Sequence, residues 1–526
     1  MAAMLTVVMA ATLLNGCGNG SSTNEYESAL DVMENFNSNI EVIPCEDNYR
    51  TTYEVFVYSF CDSDGDGIGD LNGLTSKLDY IEELGCNAIW LMPIMPSPTY
   101  HKYDITDYYG IDPQYGTMAD FENLITNAHA RNIHIYIDTV INHTSSEHPW
   151  FKEACDALAS GDLDNPYIEY YNFTEDSNGG FEKVPGIDDL YYEARFWSGM
   201  PDLNLDNPAV RNEIEDIVDF WIKKGVDGFR MDACTSYYTG KDKESIDFLT
   251  WFKDYVKSQK SDVYIVSEVW TDSITYSKYL ASGIDSTFEF RFSQDDGVIA
   301  KALNKGEASS YGKALVAAQD ELSAANPAYI GAPFYTNHDT ARTAGYYAGD
   351  SSIEKTKLGW AMSLLMSGNS FLYYGEELGI KGSGDDENKR TQMRWVEDSK
   401  GEGMCYSMIS STKQKFDSLE LQQEDPDSLY HFVKQAIKVR NSSDAITHGK
   451  VTFIEELSDS SLCVIQKDYQ NETVTIVFNL SDTTDELDLS SLGVNSIAGV
   501  LVTNKEAPAL DKGSLEIPGY SIVVLN

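Results

Sequence analysis

Val226 to Cys234, VDGFRMDAC, is a short apolar run that delivers Arg230 and Asp232 at its carboxyl end. Alternate residues of a strand share one face, so both groups project together. An arginine two residues before a carboxylate can hold it ionised and oriented, as a carboxylate nucleophile requires. On this segment alone, a salt-bridged strand end of purely structural use accounts for the pattern equally well. Two similar strand ends follow. Val263 to Trp270, VYIVSEVW, carries Glu268 after an apolar run, and Ala332 to Asp339, APFYTNHD, ends in His338 and Asp339. Upstream, His134 to His143, HIYIDTVINH, holds Asp138, Asn142 and His143. Three carboxylates at three strand ends is a pattern that chance rarely supplies.

Outward from these segments, β-type runs alternate with amphipathic helices. The candidate strands are Val55 to Phe60, Asn87 to Pro93, Ile133 to Val140, Gly228 to Asp232, Val263 to Glu268, Thr287 to Phe292, Pro333 to Thr336 and Ser370 to Tyr374. Eight strands with intervening helices predict an α/β fold, a (β/α)8 TIM barrel. Leu74, Leu78, Ile81 and Leu84 fall on one helical face, as do Val210, Ile214, Ile217 and Trp221, with Gly225 as a stop. In such barrels the active site lies at the carboxyl ends of the strands, where the candidate carboxylates fall. About sixty residues of little periodicity separate His143 from Leu205, and a loop that long is functional more often than idle. After a helix at Ser428 to Asn441 the pattern changes to short alternating strands: Val451 to Glu455, Leu462 to Gln466, Thr473 to Asn479, Gly499 to Thr503 and Ser521 to Leu525. That predicts a C-terminal antiparallel β-sandwich.

The chain has 526 residues, more than one small core needs. Lys+Arg 38 against Asp+Glu 84 gives a net charge of −46, which argues against nucleic-acid or anionic-membrane binding through charge. The 33 tyrosines suit sugar stacking, although ordinary core and surface positions account for most of them. Leu5 to Leu14 is an apolar run too short to span a bilayer and reads as part of a targeting segment. Residues 18–46, polar and rich in Asn, Ser and Glu, read as a flexible tether. Cys45, Cys61, Cys86, Cys155, Cys234, Cys405 and Cys463 show no paired spacing, so neither a disulfide framework nor a zinc site is indicated.

The loop Asp62-Ser63-Asp64-Gly65-Asp66-Gly67-Ile68-Gly69-Asp70 offers oxygens at alternating positions, with glycines for the tight turn. Asp62, Asp64, Asp66, the Ile68 carbonyl and Asp70 suit a hard cation such as Ca2+. The loop resembles the start of an EF-hand, but Gly73 stands where that motif places a bidentate glutamate. An acidic surface turn is the alternative.

The four segments around Asp138, Asp232, Glu268 and Asp339 resemble, in order, the four signature regions of the α-amylase superfamily of glycoside hydrolases. The likeness runs from about Tyr53 to the C-terminus. It implies a catalytic barrel over 47–447, a domain B inserted at about 143–205 as one wall of the cleft, and a domain C over 448–526. It also implies a retaining mechanism in which Asp232 attacks the anomeric carbon and Glu268 serves as acid and base. Asp339 would then be the third carboxylate, His143 and His338 would donate hydrogen bonds to the sugar, and Arg230 would fix Asp232. Tyr100 to Tyr108 resembles the family segment after the second strand, in which Tyr103 would stack on the sugar and Asp104 would bind its hydroxyls. Relatives of the oligo-1,6-glucosidase type carry calcium in a loop like 62–70. Asn142 matches one ligand of a second family calcium site, but Thr235 and Ser236 replace a common Lys-His pair. Leu14-Asn15-Gly16-Cys17 resembles a bacterial lipobox, which implies a signal peptide over 1–17 and lipidation at Cys17.

Met200-Pro201-Asp202-Leu203-Asn204 is intermediate between the forms found in oligo-1,6-glucosidases and neopullulanases. Ala233 is small where enzymes preferring α-1,6 bonds usually carry valine. The expectation is therefore an α-amylase acting on α-1,4 bonds of starch-like α-glucan and maltooligosaccharides, monomeric, and secreted to the outer face of the bacterial cell membrane, where a lipid alone holds it. An exo-acting α-glucosidase or a neopullulanase-like enzyme is the alternative within the family. A non-catalytic carbohydrate-binding protein on the same barrel is the alternative outside it, but such relatives typically lack a catalytic carboxylate that this chain keeps.

Overall fold

Seven short runs pair in parallel as β1 (Thr51–Val55), β2 (Ala88–Leu91), β3 (His134–Thr139), β4 (Gly228–Met231), β5 (Tyr264–Ser267), β6 (Ser286–Thr287) and β7 (Ser370–Tyr373), in the order β7-β1-β2-β3-β4-β5-β6. This computed structural model describes residues 26–176, 179–406 and 413–526. Residues 332–334 form single parallel bridges, Phe288 to Ala332 and Phe334 to Phe371, which join the β6 end of the sheet to β7 and close the ring. Together with the helices between the strands this is the expected (β/α)8 barrel, followed by C-terminal β sheets.

Three strands differ from the sequence expectation. The first pairs over Thr51–Val55, upstream of the apolar run, while Val57–Ser59 forms a 3-10 turn. An apolarity criterion passes over Thr52 and Glu54, yet both are buried because the barrel interior supplies partners; Thr52 Oγ1 donates to Asn369 Oδ1 at 2.6 Å. The sixth strand ends at Thr287, and the seventh is reduced to the two bridges. Beneath the carboxyl ends, Phe288 packs against Trp90, Phe334 and Phe371 with ring centroids 4.9–5.5 Å apart, forming an aromatic plug in the barrel.

The helix before β4, Pro208–Lys223, shows how the outer layer forms. The Asn207 side chain accepts from Ala209 N–H, Pro208 begins the first turn without needing a donor, and the Val210, Ile214, Ile217, Val218 and Trp221 face is buried. Each such side chain contributes about 1.5–3 kcal/mol on burial. Gly225, at φ +98°, then turns the chain into β4; a Cβ there would stand 2.7 Å from Ile125.

Between β3 and that helix the chain is not featureless. It forms the helix Pro149–Ser160 and an antiparallel sheet of Phe173–Thr174, Tyr191–Glu193 and Phe181–Lys183, bridged back to the barrel side at His143–Asp202 and Tyr171–Leu203. At the C-terminus, Lys450–Phe453, Leu462–Tyr469, Glu472–Asn479, Ser521–Leu525 and Ile497–Val502 form a five-stranded antiparallel sheet. A second sheet, Asp485–Asp488, Ser514–Ile517 and Ala509–Asp511, packs with it around Val464, Val477, Leu515 and Val523. Two buried side chains, Arg440 at the end of the helix Leu429–Arg440 and Lys467 of the C-terminal sheet, meet the carboxyl end of the barrel helix Ser352–Leu364. Arg440 donates to the carbonyls of Leu364 and Met366 and Lys467 to that of Leu365, satisfying the negative end of the helix.

Residues 1–17 with Cys17, and the stretch 18–25, lie outside the described residues. Within the expected tether, residues 28–37 are corrected by the structure. Ala29–Asn37 is a helix (α1) capped by Ser28, with Ala29, Val32, Met33 and Asn37 buried against the body of the protein. Asn37 exchanges two hydrogen bonds of 2.9 Å with the backbone of Val500, and Asp427 accepts from Ala29 N–H at 2.7 Å. The polar composition masked an apolar face at helical spacing. No helix among the described residues is long and apolar enough to cross a membrane.

Candidate active site

The strand ends converge on one guanidinium. Arg230, buried at the end of β4 over the Trp90 ring, reaches Asp138 Oδ1 at 2.8 Å and Asp232 Oδ1 at 2.5 Å through Nη1, while its Nη2 stands 3.0 Å from Glu268 Oε2. The pairing of Met231 with Ser267 brings the next residues, Asp232 and Glu268, side by side at the ends of β4 and β5. Adjacent strands lie about 4.8 Å apart, so the two carboxyl groups are neighbours across the cleft floor. Ala233 N–H also donates to Glu268 Oε2 at 2.9 Å, and Ala233 adopts a left-handed backbone (φ +48°) in doing so.

Three carboxyl groups around one cation leave an excess of negative charge. Burial pushes Glu268 up to about 7 against the pull of Arg230, with Asp232 and Asp339 adding to the rise. Asp138 is raised too, chiefly by burial. The site therefore favours a carboxylic acid at Glu268 near neutral pH.

A second charge group sits beside the first. His338 Nδ1–H donates to Glu54 Oε1 at 2.6 Å, and its Nε2 lies 2.7 Å from Tyr103 Oη and 3.1 Å from Asp339 Oδ2. Tyr103 O–H donates to Asp138 Oδ2 at 2.9 Å, so its oxygen accepts from His338 Nε2–H. Both ring nitrogens thus carry protons. Burial disfavours that charge, but Asp339 and Glu54 outweigh it and raise His338 to about 9. Burial would raise Asp339, yet His338 and Arg390, the latter 2.9 Å from Oδ1, hold it well below the usual carboxylate range.

These groups line a cleft of about 390 Å3, with His101, Tyr103, His143, Asp232, Glu268, His338 and Asp339 in its wall. His143 Nε2–H is committed to the Tyr103 carbonyl at 3.1 Å. Phe196 tilts over His143 with centroids 5.2 Å apart, and Trp270 stacks on Phe290 at 5.4 Å on the Glu268 side. Asp104 departs from its expected place. It is buried, accepts from Ser97 at 2.7 Å and from Thr99, and is not among the described residues of the cleft wall, because the turn at Lys102 (φ +66°) sends Tyr103 into the cleft and Asp104 behind it.

Glu54, His101, Trp270 and Arg390 were not singled out in the sequence. Glu54 sits one residue from the end of β1, where an inward polar residue in a buried strand was the available signal. Arg390 lies in a loop far along the chain and carries no local signal.

In the loop after β1, Asp62, Asp64 and Asp70 bring one carboxylate oxygen each to within 4.8 Å of one another. No Lys, Arg or His among the described residues forms an ion pair with them. Their donor set of hard oxygens fits a cation of the Ca2+ type. Asp66 falls outside this group; its carboxylate accepts from Ile68 N–H at 2.7 Å.

A model of the alpha amylase catalytic domain matches residues 54–449. Alpha-amylase 3 of Dictyoglomus thermophilum is 41% identical over 436 residues, which cover 82% of this chain and 84% of that protein. An oligo-1,6-glucosidase of Parageobacillus thermoglucosidasius is 29% identical over 86% of this chain and 93% of its own length. The solved structure of Eubacterium rectale Amy13B superposes with a TM-score of 0.92 at 52% identity, covering 94% of this chain and 98% of that one.

Proposed function

Since the chain belongs to the α-amylase family and is a glycoside hydrolase, we propose that its cleft cleaves α-1,4-glucosidic bonds of starch-like glucans and maltooligosaccharides with retention of configuration. The observation that carries this reading is the pairing of Asp232 and Glu268 at adjacent strand ends around Arg230. A retaining pair stands roughly 5 Å apart, the distance that neighbouring strands impose, whereas an inverting pair needs room for an intervening water.

Asp232, oriented by its hydrogen bond from Arg230, attacks the anomeric carbon as Glu268 gives its proton to the departing glycosidic oxygen. Glu268, now a carboxylate, takes a proton from water, which attacks the same carbon and releases Asp232. The surplus negative charge around Arg230 favours the oxocarbenium-like transition state over the neutral substrate. Asp339 accepts from sugar hydroxyls, and Tyr103 offers its ring to the sugar face. The aromatic rim of Phe196, Trp197 and Trp270 suits a chain of several glucosyl units.

We assign a Ca2+ ion to Asp62, Asp64 and Asp70, where it would cross-link the loop that follows β1. Acylation at Cys17 as an anchor to the outer face of the cell membrane remains part of the same proposal, and incorporation of labelled fatty acid lost in Cys17→Ala tests it. The test of the activity is a product time course on amylose and pullulan. Maltooligosaccharides of mixed length, early and with the α configuration, are the expected result. Glucose alone from the first minutes would replace the reading with an exo-acting α-glucosidase.

A further inference from the structure

Trp197 is shared by two concavities. One is the cleft described above; the other is a larger groove of about 600 Å3 on the inserted segment, walled by Phe151, Cys155, Asp156, Lys183, Tyr192 and Trp197. Its volume lies in the range of ligand pockets. The groove has a fixed frame: Tyr192 O–H donates to Ser198 O at 2.7 Å, and Ser146 N–H donates to Gly199 O at 2.8 Å. The six-membered ring of Trp197 lies against Gly199, where an added Cβ would stand 2.2 Å from Cζ2. Glycine there lets the indole rest edge-on to the backbone and fixes its position between the two concavities. Trp197 is nonetheless 48% exposed where the two concavities meet, and its neighbour Phe196, in the cleft wall, is 51% exposed.

Bare, positioned aromatic faces beside exposed carboxylate and ammonium groups match a pyranose, with its apolar C–H faces and hydroxyl rim. Asp156 and Lys183 supply an acceptor and a donor in the groove wall. Lys183 is paired with Asp188 at 2.8 Å, but both side chains are exposed, so the lysine can turn to a hydroxyl at little cost.

We propose that this groove is a distal binding site for an α-glucan chain whose scissile bond lies in the cleft, with Trp197 as the ridge over which the chain passes. The proposal rests on the α-glucan reading above. Its consequence is chain-length discrimination: substrates long enough to cross Trp197 gain binding that short ones cannot.

The test compares kcat/KM for maltoheptaose with that for maltotriose in the wild type and in two variants. Trp197→Ala removes the ridge, and Cys155→Trp fills the groove from a half-buried wall position. The wild type is expected to prefer maltoheptaose by at least tenfold, and each variant to reduce that ratio about tenfold. Trp197 is exposed, so its replacement leaves a folded protein even where Cys155→Trp does not, and melting curves verify both. An unchanged ratio in a folded Cys155→Trp, or in Trp197→Ala, overturns the proposal. If the wild type turns over both sugars with equal kcat/KM, the groove is unused while the activity stands. If it cleaves neither, the α-glucan reading itself fails.

Discussion

Glu54 Oε1 lies 2.6 Å from His338 Nδ1, joining β1 to the segment that carries Asp339 through a fully buried charge pair. The pair keeps His338 an imidazolium whose other N–H faces Tyr103 and Asp339. Glu54→Gln removes the compensating charge, so His338 should lose its proton at lower pH than in the wild type. A charge-assisted hydrogen bond is worth about 1.5–3 kcal/mol, so kcat/KM should drop about 10- to 100-fold, with the loss growing between pH 6 and 8. A pH-rate profile of the variant checks this, and a uniform loss at all pH values would remove the charge argument.

Glu268 is pushed up to about 7. As the acid it must be protonated, so kcat/KM should fall roughly tenfold per pH unit above about 7. Glu268→Gln should lose about 10²- to 10⁴-fold on maltooligosaccharides and much less on an aryl glycoside whose leaving group needs no proton. Equal losses on both substrates would deny it the acid role.

Asp232→Asn removes the nucleophile but keeps the shape of the cleft. Maltoheptaose binding by calorimetry should persist while turnover falls by about a thousandfold or more. Turnover at the wild-type rate would end the proposed mechanism.

Removing a divalent cation with a chelator should lower the melting temperature by a few degrees, because a ligand at about 100 times its Kd stabilises by about 2.7 kcal/mol. Asp64→Asn should melt near the chelated wild type and respond little to chelator. A wild type indifferent to chelator would leave Asp62, Asp64 and Asp70 as an acidic turn.

Glu289, buried beside a cavity of about 290 Å3 on the barrel, is raised by burial to about 7 against the pull of Arg291. Its unfolded value is about 4.3, so the native state holds the proton more tightly. Stability contributed by the neutral acid is full below about pH 4, declines as pH rises to about 7 and is lost above it. Glu289→Gln should flatten that part of the melting-temperature profile between pH 5 and 8, and parallel profiles would contradict it.

Helix α1 should behave as part of the folded body. Asn37→Ala strands the Val500 N–H and carbonyl in the interior, at a cost of about 2–4 kcal/mol for the two groups. Calorimetry showing no loss would return residues 29–37 to the status of a tether.

Much of the barrel was legible because strand burial and helix amphipathicity are local patterns. The errors fell where burial and polarity part company. Thr52 and Glu54 look like surface residues until the ring closes and Asn369 and His338, more than 280 positions away, become their partners. Residues 173–193 hid their sheet in the same way, since their strands are only two or three residues long.

Asp232, Glu268, Asp339, His143, Arg230 and His338 were legible in the sequence because they lie at or just beyond the carboxyl ends of buried runs, a position set by neighbours in the chain, whereas Tyr103, in the loop Tyr100 to Tyr108, was named through the family resemblance alone. Asp104 was named through the same resemblance, and only the turn at Lys102 decides that it faces Ser97 and Thr99 instead of the cleft. Local order thus determined the barrel, its carboxylates and the acidic loop. The tertiary structure alone decided the protonation of His338, the arrival of Glu54 and Arg390, and the ridge at Trp197. Charge states and cleft walls depend on which distant residues share a few ångströms of low-dielectric space, and only the closed fold determines that.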